Sequence, residues 1–384
     1  MRHNGRTIGI NGSMLDHQPS GIGIYSINLI NHLFALYRAD AYNRLTVFTP
    51  SRDFLHPDLH MVKLLDVLQS SRYGKLAAFS RFFWNTFVYP FQARKCDVLL
   101  SPTTHASFVL RNQILTIHDL LSLRFGNINA FQRMYFKYVL PLLMNRAVKV
   151  IAISQATKRD IVEFLHYPGE KIEVVYNGYD QSLFNVTDDS EGMIAKTYGL
   201  SDYFLVIGPT YAHKNILLVL DVYKSLPEST KIKHPLVITG GKRPYLTVLE
   251  QYVRQLMLEK HVHFLGYVPQ THMPQLYREA FALLFPSLHE GFGFPLLEAM
   301  ACGCPVICSN TSSMPEVCGD AALYINPLKK MSLFKAITRL EITPRLHMEL
   351  RAKGLSQAKK FSWEQAASEL KSIIDINFNN KSNR

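Results

Sequence analysis

No stretch of this chain is apolar for long enough to cross a bilayer. Its most apolar pieces, such as residues 138–144, fall far short of the roughly 20 residues a spanning helix needs, and Pro141 interrupts that one. The N-terminal residues also lack the apolar core of a secretory signal. Residues 7–10 read instead as an early strand, so no leader peptide is expected. Cysteine is scarce, five residues in 384 with no CxxC spacing, which argues against a disulfide framework and for a reducing cytoplasm. Cys302, Cys304 and Cys308 cluster, but at a helix end and on a buried strand, where they suit small core positions; no metal site is expected. Acidic residues are outnumbered, 30 against 42 Lys and Arg, for a formal net charge of +12. That surplus admits nucleic acid, anionic lipid or phosphorylated ligands as partners. Zinc-finger spacing, an RNP-like aromatic signature and a basic tail are all missing, so nucleic acid is not expected. The charge is left to a phosphate-rich ligand or a membrane surface.

At 47% hydrophobic and 19% charged residues, the chain can bury two cores, and its length suits two domains of just under 200 residues each. The organising stretch is residues 289–327, HEGFGFPLLEAMACGCPVICSNTSSMPEVCGDAALYINP. A buried strand over residues 281–285 breaks at Pro286, and a polar loop runs into Gly291 and Gly293. A helix is expected from Pro295, where a missing N–H costs nothing. Gly303 supplies a left-handed cap, and residues 305–308 form the next strand. Strand, glycine turn and helix N-terminus make an anion-binding layout, in which the amides of Gly291, Phe292, Gly293 and Phe294 can face one phosphate. Glu290 before the turn and Glu298 in the first helical turn can grip hydroxyls on either side of a diphosphate. An ordinary βαβ turn with a helix-capping glutamate reads equally well from spacing alone.

Glu290-x₇-Glu298 within EGFGFPLLEAMACGCPV, followed by SMPEVCGDAA, resembles the signature of the family 4 (group 1) retaining glycosyltransferases. Matching pieces recur from Gly21 to the C-terminal segment. The resemblance implies an α/β protein of GT-B fold, two doubly wound parallel-sheet, Rossmann-like domains facing a cleft. Residues 1–184 are then the acceptor domain, 185–200 the linker, 201–360 the nucleotide-sugar donor domain, and 361–384 a helix crossing back to the first domain, then a tail. Strand–helix alternation in both halves agrees with that architecture.

In chain order, the first strand leads to a loop with Gly21 and Gly23, resembling the family's N-terminal glycine loop at the donor. Ile24 stands where many relatives carry an arginine. A helix follows with an apolar stripe at Ile22, Tyr25, Leu29, Leu33 and Leu36. The strand over residues 113–118 ends in His118. A lone histidine at a strand end is more often structural, but the resemblance implies that His118 touches the donor sugar, with Asp119 a cap or turn residue. Ser154 is a plausible N-cap after the strand over residues 148–153. Residues 172–176 form the last strand of the first half. The polar run 185–190, with Asp188 and Asp189, reads as solvated linker.

In the second half, strand 203–207 precedes GPTYAHKN, where the family supplies a lysine to the diphosphate. Lys214 matches; Pro209 and His213 occupy the usual arginine positions, so the phosphate clamp is thin. Strand 236–239 precedes Gly240, Gly241 and Lys242. Strand 263–265 precedes Gly266, Tyr267 and Val268, which resemble the base-binding turn. Phe361, Trp363, Ala366, Leu370 and Ile374 share one face of the last helix.

The implied activity is transfer of a hexose from a nucleotide-diphosphate sugar, GDP-mannose being favoured, to a saccharide acceptor of the lipid-linked kind in surface-polysaccharide or lipopolysaccharide assembly. Lys214 and Glu290 carry the chemistry with His118, and no metal or other cofactor is required. A GT-B sugar-nucleotide epimerase would release no glycoside, and a non-catalytic binder of nucleotide sugars or nucleic acid would bind without turnover. One segment stands apart: Arg72, Lys75, Arg81, Arg94 and Lys95 are interleaved with Phe79, Phe82, Phe83, Trp84, Phe87 and Phe91. Most of these aromatics read as core residues of two buried helices. The pattern also suits a helix lying on an anionic membrane surface, which would make the enzyme cytoplasmic and peripheral on the membrane's inner face.

Overall fold

The computed structural model describes residues 6–19, 21–38, 44–126, 128–187, 192–208, 211–240 and 245–379. Contacts divide the chain into two compact units, residues 1–178 with 363–384, and residues 179–362.

The first unit holds a seven-stranded parallel sheet: β1 (Thr7–Asn11), β2 (Arg44–Thr49), β3 (His60–Lys63), β4 (Val98–Ser101), β5 (Gln113–Ile117), β6 (Ala147–Ala152) and β7 (Ile172–Val174). Their order is β3-β2-β1-β4-β5-β6-β7. β4 and β5 are buried along their whole length, as short continuous apolar runs in a sheet covered on both faces should be. The helix Gly21–Arg38 lays Tyr25, Leu29, Ile30 and Leu33 against the core. The C-terminal helix Trp363–Asn379 returns to this unit and packs on it, Trp363 meeting Tyr25 edge-on at 5.7 Å between ring centroids. Gly21 and Gly23 lie in the first turn of the helix rather than in a loop before it.

The second unit repeats the plan with β8 (Tyr203–Ile207), β9 (Leu236–Thr239), β10 (Val262–Gly266), β11 (Ala280–Phe285), β12 (Val306–Ser309) and β13 (Ala322–Ile325), in the order β10-β9-β8-β11-β12-β13. One apolar core joins β8, β9, β11 and β12 to the helices Ile216–Ser225 and Lys330–Ile342.

The division falls at 178/179, six residues before the end expected for the first domain. Phe184 packs edge-on against Tyr277 at 6.1 Å, and the Asn185 carbonyl accepts from Arg278 Nε at 2.7 Å, which anchors this segment to the second unit. The expected linker contains a short helix, Met193–Tyr198, and Asp188 and Asp189 lie outside the described residues. At the other end Phe361 meets Phe292 edge-on at 6.0 Å, so the chain leaves the second unit only at 362/363.

Candidate functional site

In a doubly wound sheet, ligands sit beyond the strand C-termini where the order reverses. In the second unit that point lies between β8 and β11, which pair directly. The loops after these two strands carry Lys214 and Glu290. Asn215, in left-handed conformation, joins them: its Nδ2 donates to the carbonyls of Pro286 at 3.2 Å and Pro327 at 2.8 Å. The Leu288 amide adds a hydrogen bond to the His213 carbonyl at 2.8 Å. So held, Lys214 Nζ donates to both carboxylate oxygens of Glu290, at 2.8 and 3.0 Å, and lies 5.4 Å from the centre of the Phe285 ring.

His213 does not replace the arginine of the family's phosphate clamp. It is buried against Tyr211, and desolvation lowers its pKa to about 4, outweighing the pull of Glu290 toward the charged form. It is therefore neutral at physiological pH. Pro209, the other replaced position, lies outside the described residues, as do Gly241 and Lys242.

The turn after Glu290 is fixed from behind. The hydroxyls of Ser312 and Ser313 both donate to the Glu290 carbonyl, and Ser313 Oγ also reaches the Phe292 carbonyl at 2.8 Å. The Glu290 amide in turn donates to Ser312 Oγ at 3.1 Å. Gly293 caps the helix Phe294–Ala301 at φ 108°, a conformation costly for any residue with a Cβ. Gly303 ends that helix with two crossed bonds: its amide reaches the Met300 carbonyl at 3.0 Å and the Cys304 amide reaches Ala299 at 2.8 Å. This is the left-handed cap expected from the sequence.

Glu298 is the fifth residue of the helix, about one turn in as expected, and accepts from Tyr277 Oη at 2.7 Å. Burial raises its pKa to about 7, against the opposing pull of the tyrosine hydrogen bond. Beyond β9 and β10, Gly240 and Gly266 both have positive φ, and the Gly240 amide and Thr239 hydroxyl both donate to the Gly266 carbonyl. Tyr267 points into solvent while Val268 is buried. Any contact from this turn to a base through Gly266 would have to use other backbone groups, since that carbonyl already accepts two bonds. The clustered cysteines are buried, with thiol pKa values pushed up by desolvation.

In the first unit, His118 follows β5. Its Nε2 lies 2.9 Å from the Pro102 carbonyl, which can only accept, so Nε2 carries the proton and Nδ1 is the acceptor. Burial lowers its pKa to about 4, and Tyr25 meets its ring edge-on at 4.6 Å. Asp119 is a turn residue, its Oδ1 accepting from the Leu121 amide at 3.0 Å. Ser154 caps the helix Gln155–Leu165 through the Thr157 amide, as expected. Gly21 has open space where a Cβ would stand, whereas Gly23 would bring one within 2.9 Å of Pro19.

The basic-aromatic segment overturns its plain reading. The helix Ser70–Phe83, broken by a non-helical Gly74, runs through a π-turn at Trp84–Val88 into the helix Tyr89–Ala93. Only Trp84 of the six aromatics is buried; Phe79, Phe82, Phe83, Phe87 and Phe91 are exposed, up to 71% for Phe91. Phe79, Phe83, Phe87 and Phe91 recur every fourth residue and so form one face, which the fold turns outward instead of inward. Arg81 is the opposite surprise: it is 5% exposed, with Nη1 donating to the Leu68 carbonyl and to Ser70 Oγ, so it cannot reach a membrane. A second stretch, Ala130–Met134, a π-turn Tyr135–Val139 and Leu140–Met144, repeats the design and exposes Phe131, Met134, Tyr138 and Leu142. Sequence reasoning also passed over Ser312, Ser313 and Tyr277; the serine pair in SSMPEV was the available signal. Among the described residues, no helix is long and apolar enough to span a membrane.

Residues 19–183 match the family model described as Glycosyltransferase Family 4, and residues 196–361 the model described as Glycosyl transferases group 1. The O-antigen chain mannosyltransferase B of Escherichia coli is 28% identical over 364 residues, covering 91% of this chain and 94% of that protein. The O-antigen chain mannosyltransferase RfbU of Salmonella typhimurium is 34% identical over 246 residues, 64% of this chain and 65% of that protein. Among solved structures, a sucrose-phosphate synthase from Thermosynechococcus elongatus aligns over 98% of this chain and all of its own, with TM-score 0.76 at 17% identity. Two Rossmann-like units of parallel strands, each matched by its own half of the family description, identify the chain as a GT-B glycosyltransferase of family 4 (group 1).

Proposed function

We propose that this enzyme transfers mannose, with retention, from GDP-mannose to a saccharide acceptor carried on a lipid, in the assembly of a bacterial surface polysaccharide. The observation that carries the reading is the Lys214–Glu290 pair at the switch point of the second unit, beside the glycine turn and the N-terminus of the helix Phe294–Ala301. Departure of a nucleoside diphosphate from a sugar builds negative charge on the leaving phosphate and positive charge on the ring. Groups already aimed at both stabilise that separation without reorganising during the step. Lys214 and the positive helix end serve the phosphate. Glu290 orients the sugar hydroxyls beside the developing oxocarbenium. Glu298, in carboxylate form, takes the ribose hydroxyls. His118, neutral with an accepting Nδ1, takes a sugar hydroxyl. No carboxylate is assigned as nucleophile; the leaving phosphate accepts the acceptor's proton on the face from which it departs. The mannose assignment draws on the two O-antigen mannosyltransferases, which are named for that sugar.

The outward face of Phe79, Phe83, Phe87 and Phe91, flanked by exposed Arg72, Lys75, Arg94 and Lys95, supports peripheral attachment to an anionic membrane where a lipid-linked acceptor resides. A thermal-shift screen of nucleotide sugars tests the donor. GDP-mannose should raise the unfolding temperature more than UDP- or dTDP-sugars, by mass action. Transfer should persist in excess EDTA. Stabilisation by another nucleotide sugar alone would overturn the donor, and activity that returns only with Mg²⁺ or Mn²⁺ would overturn metal independence.

A further inference from the structure

The first unit has its own switch point, between β1 and β4, and a cavity of about 240 Å³ opens beside it. Met14, just beyond β1, and Thr104 and His105, just beyond β4, supply one side. Arg81 and Phe82 supply the second, and Phe131, Gln132 and Tyr135 of the second π-turn segment the third. The space is large enough to admit a phosphoryl group together with water.

The chemistry of the lining is lopsided. Arg81 is buried, yet among the described residues it enters no ion pair. Its hydrogen bonds go to a neutral carbonyl and a hydroxyl, and its Nε has no partner. Asp16 is the carboxylate that acts on it, but Asp16 spends its oxygens on the Ser71 amide and hydroxyl. Among the described residues, no acidic one lines the cavity. Three other lining groups are uncharged: Tyr135 Oη donates to the Thr104 carbonyl at 2.9 Å, Gln132 Oε1 accepts from Ser122 at 2.5 Å, and burial lowers the His105 pKa to about 3. A buried guanidinium whose nearest carboxylate does not touch it is costly, and an anion that arrives to pair with it lowers that cost. A guanidinium is also suited to phosphoryl oxygens through its planar fork. At the rim stand Phe82 and Phe131, members of the two exposed aromatic faces, Phe131 at 72% exposure.

We propose that this cavity is the acceptor's phosphoryl subsite: Arg81 pairs with the phosphate or diphosphate of a lipid-linked saccharide, and Phe82 and Phe131 take the first carbons of its lipid chain. The inference rests on the lipid-linked acceptor proposed above and assigns the residues that read its charge. It also explains why Arg81 is kept away from the surface its basic neighbours share.

Both tryptophans of the chain, Trp84 and Trp363, lie in the first unit, so intrinsic fluorescence is the readout for binding to that unit. The probe is farnesyl diphosphate, titrated with GDP at saturation so that the nucleotide site is filled; farnesol and inorganic pyrophosphate are the controls. Wild type should bind farnesyl diphosphate more tightly than either control. R81Q should weaken it roughly 10- to 100-fold, the usual worth of a charge-assisted bond, with R81K intermediate. F131A, an exposed change that spares folding, should weaken farnesyl diphosphate several-fold and leave pyrophosphate unaffected. Unchanged affinity in a folded R81Q overturns the anion site, as does farnesol binding as well as its diphosphate. Pyrophosphate binding equal to farnesyl diphosphate, or an F131A without effect, overturns the lipid half and leaves a free-phosphate site. GDP-mannose binding to the wild type, measured without prenyl compounds, tests the donor reading separately.

Discussion

Glu290→Ala should separate binding from turnover, and the Lys214–Glu290 geometry gives the size of the split. At 2.8 Å and an effective dielectric constant of about 20, the pair attracts by about 6 kcal/mol before desolvation is subtracted. What survives as coupling between two contacting charged residues is about 0.5–3 kcal/mol. A nucleoside diphosphate arriving at Lys214 must loosen that pair and sit near the same carboxylate. A phosphate charge about 6 Å from Glu290, at an effective dielectric constant of about 40, is repelled by about 1.4 kcal/mol, which is about tenfold in affinity. Removing the carboxylate therefore leaves GDP affinity unchanged or raises it by up to about tenfold. It also removes the group placed to hold the sugar in the transition state, so turnover should fall by about 100-fold or more. Lys214→Ala behaves oppositely at the first step, weakening GDP by roughly 10- to 100-fold, the worth of a charge-assisted bond to phosphate. Calorimetry with GDP, paired with initial transfer rates, reads both quantities. If Glu290→Ala and Lys214→Ala weaken GDP equally, the roles assigned to the pair are wrong.

Glu298, whose pKa of about 7 lies above its ordinary 4.5, contributes stability in its protonated form that is complete below about 4.5 and lost as the pH rises through 7. Denaturant unfolding at pH 5 and pH 8 should show Glu298→Gln gaining on wild type at the higher pH; parallel curves would refute the burial argument. Gly293→Ala places a Cβ within 2.9 Å of Leu296 at φ 108° and should cost about 1–3 kcal/mol in chemical denaturation, along with most GDP binding. Arg72→Glu, Lys75→Glu and Arg94→Glu together should abolish flotation with phosphatidylglycerol liposomes at low salt. The membrane reading fails if flotation survives the triple change or the wild type never floats.

Much of the architecture is legible in the residues because buried parallel strands advertise themselves. YFLVI and LVIT are continuous apolar runs bounded by turn signals, and the structure begins and ends those strands at the expected residues. Gly303 was legible for a similar local reason, since only a residue without a Cβ enters a left-handed cap cheaply. Exposure is not local. The stripe at Phe79, Phe82, Phe83, Phe87 and Phe91 has the spacing of a core face, and nothing in its periodicity says on which side the rest of the protein lies. Arg81 failed in the opposite direction, because its burial is set by Leu68 and Ser70 across a turn. Ser312, Ser313 and Tyr277 support Glu290 and Glu298 from 21 to 23 positions away, a separation at which sequence pattern carries no contact information. His213 shows the same limit in chemical form: its position follows from the sequence, but its neutrality follows from what covers it.

The chain enters its second unit at residue 179 and returns to the first at residue 363, so the whole donor half is an insertion between β7 and the final helix of the acceptor half. During synthesis, the apolar side of the helix Gly21–Arg38 is made early, yet the residues that cover it, Trp363, Leu370 and Ile374 among them, emerge last. The first half must therefore wait, with part of its core open, while about 180 residues of a second sheet are translated and begin to fold. Nonsense or frameshift lesions anywhere in the second half would damage both units, and the first cannot be obtained intact by cutting the gene once.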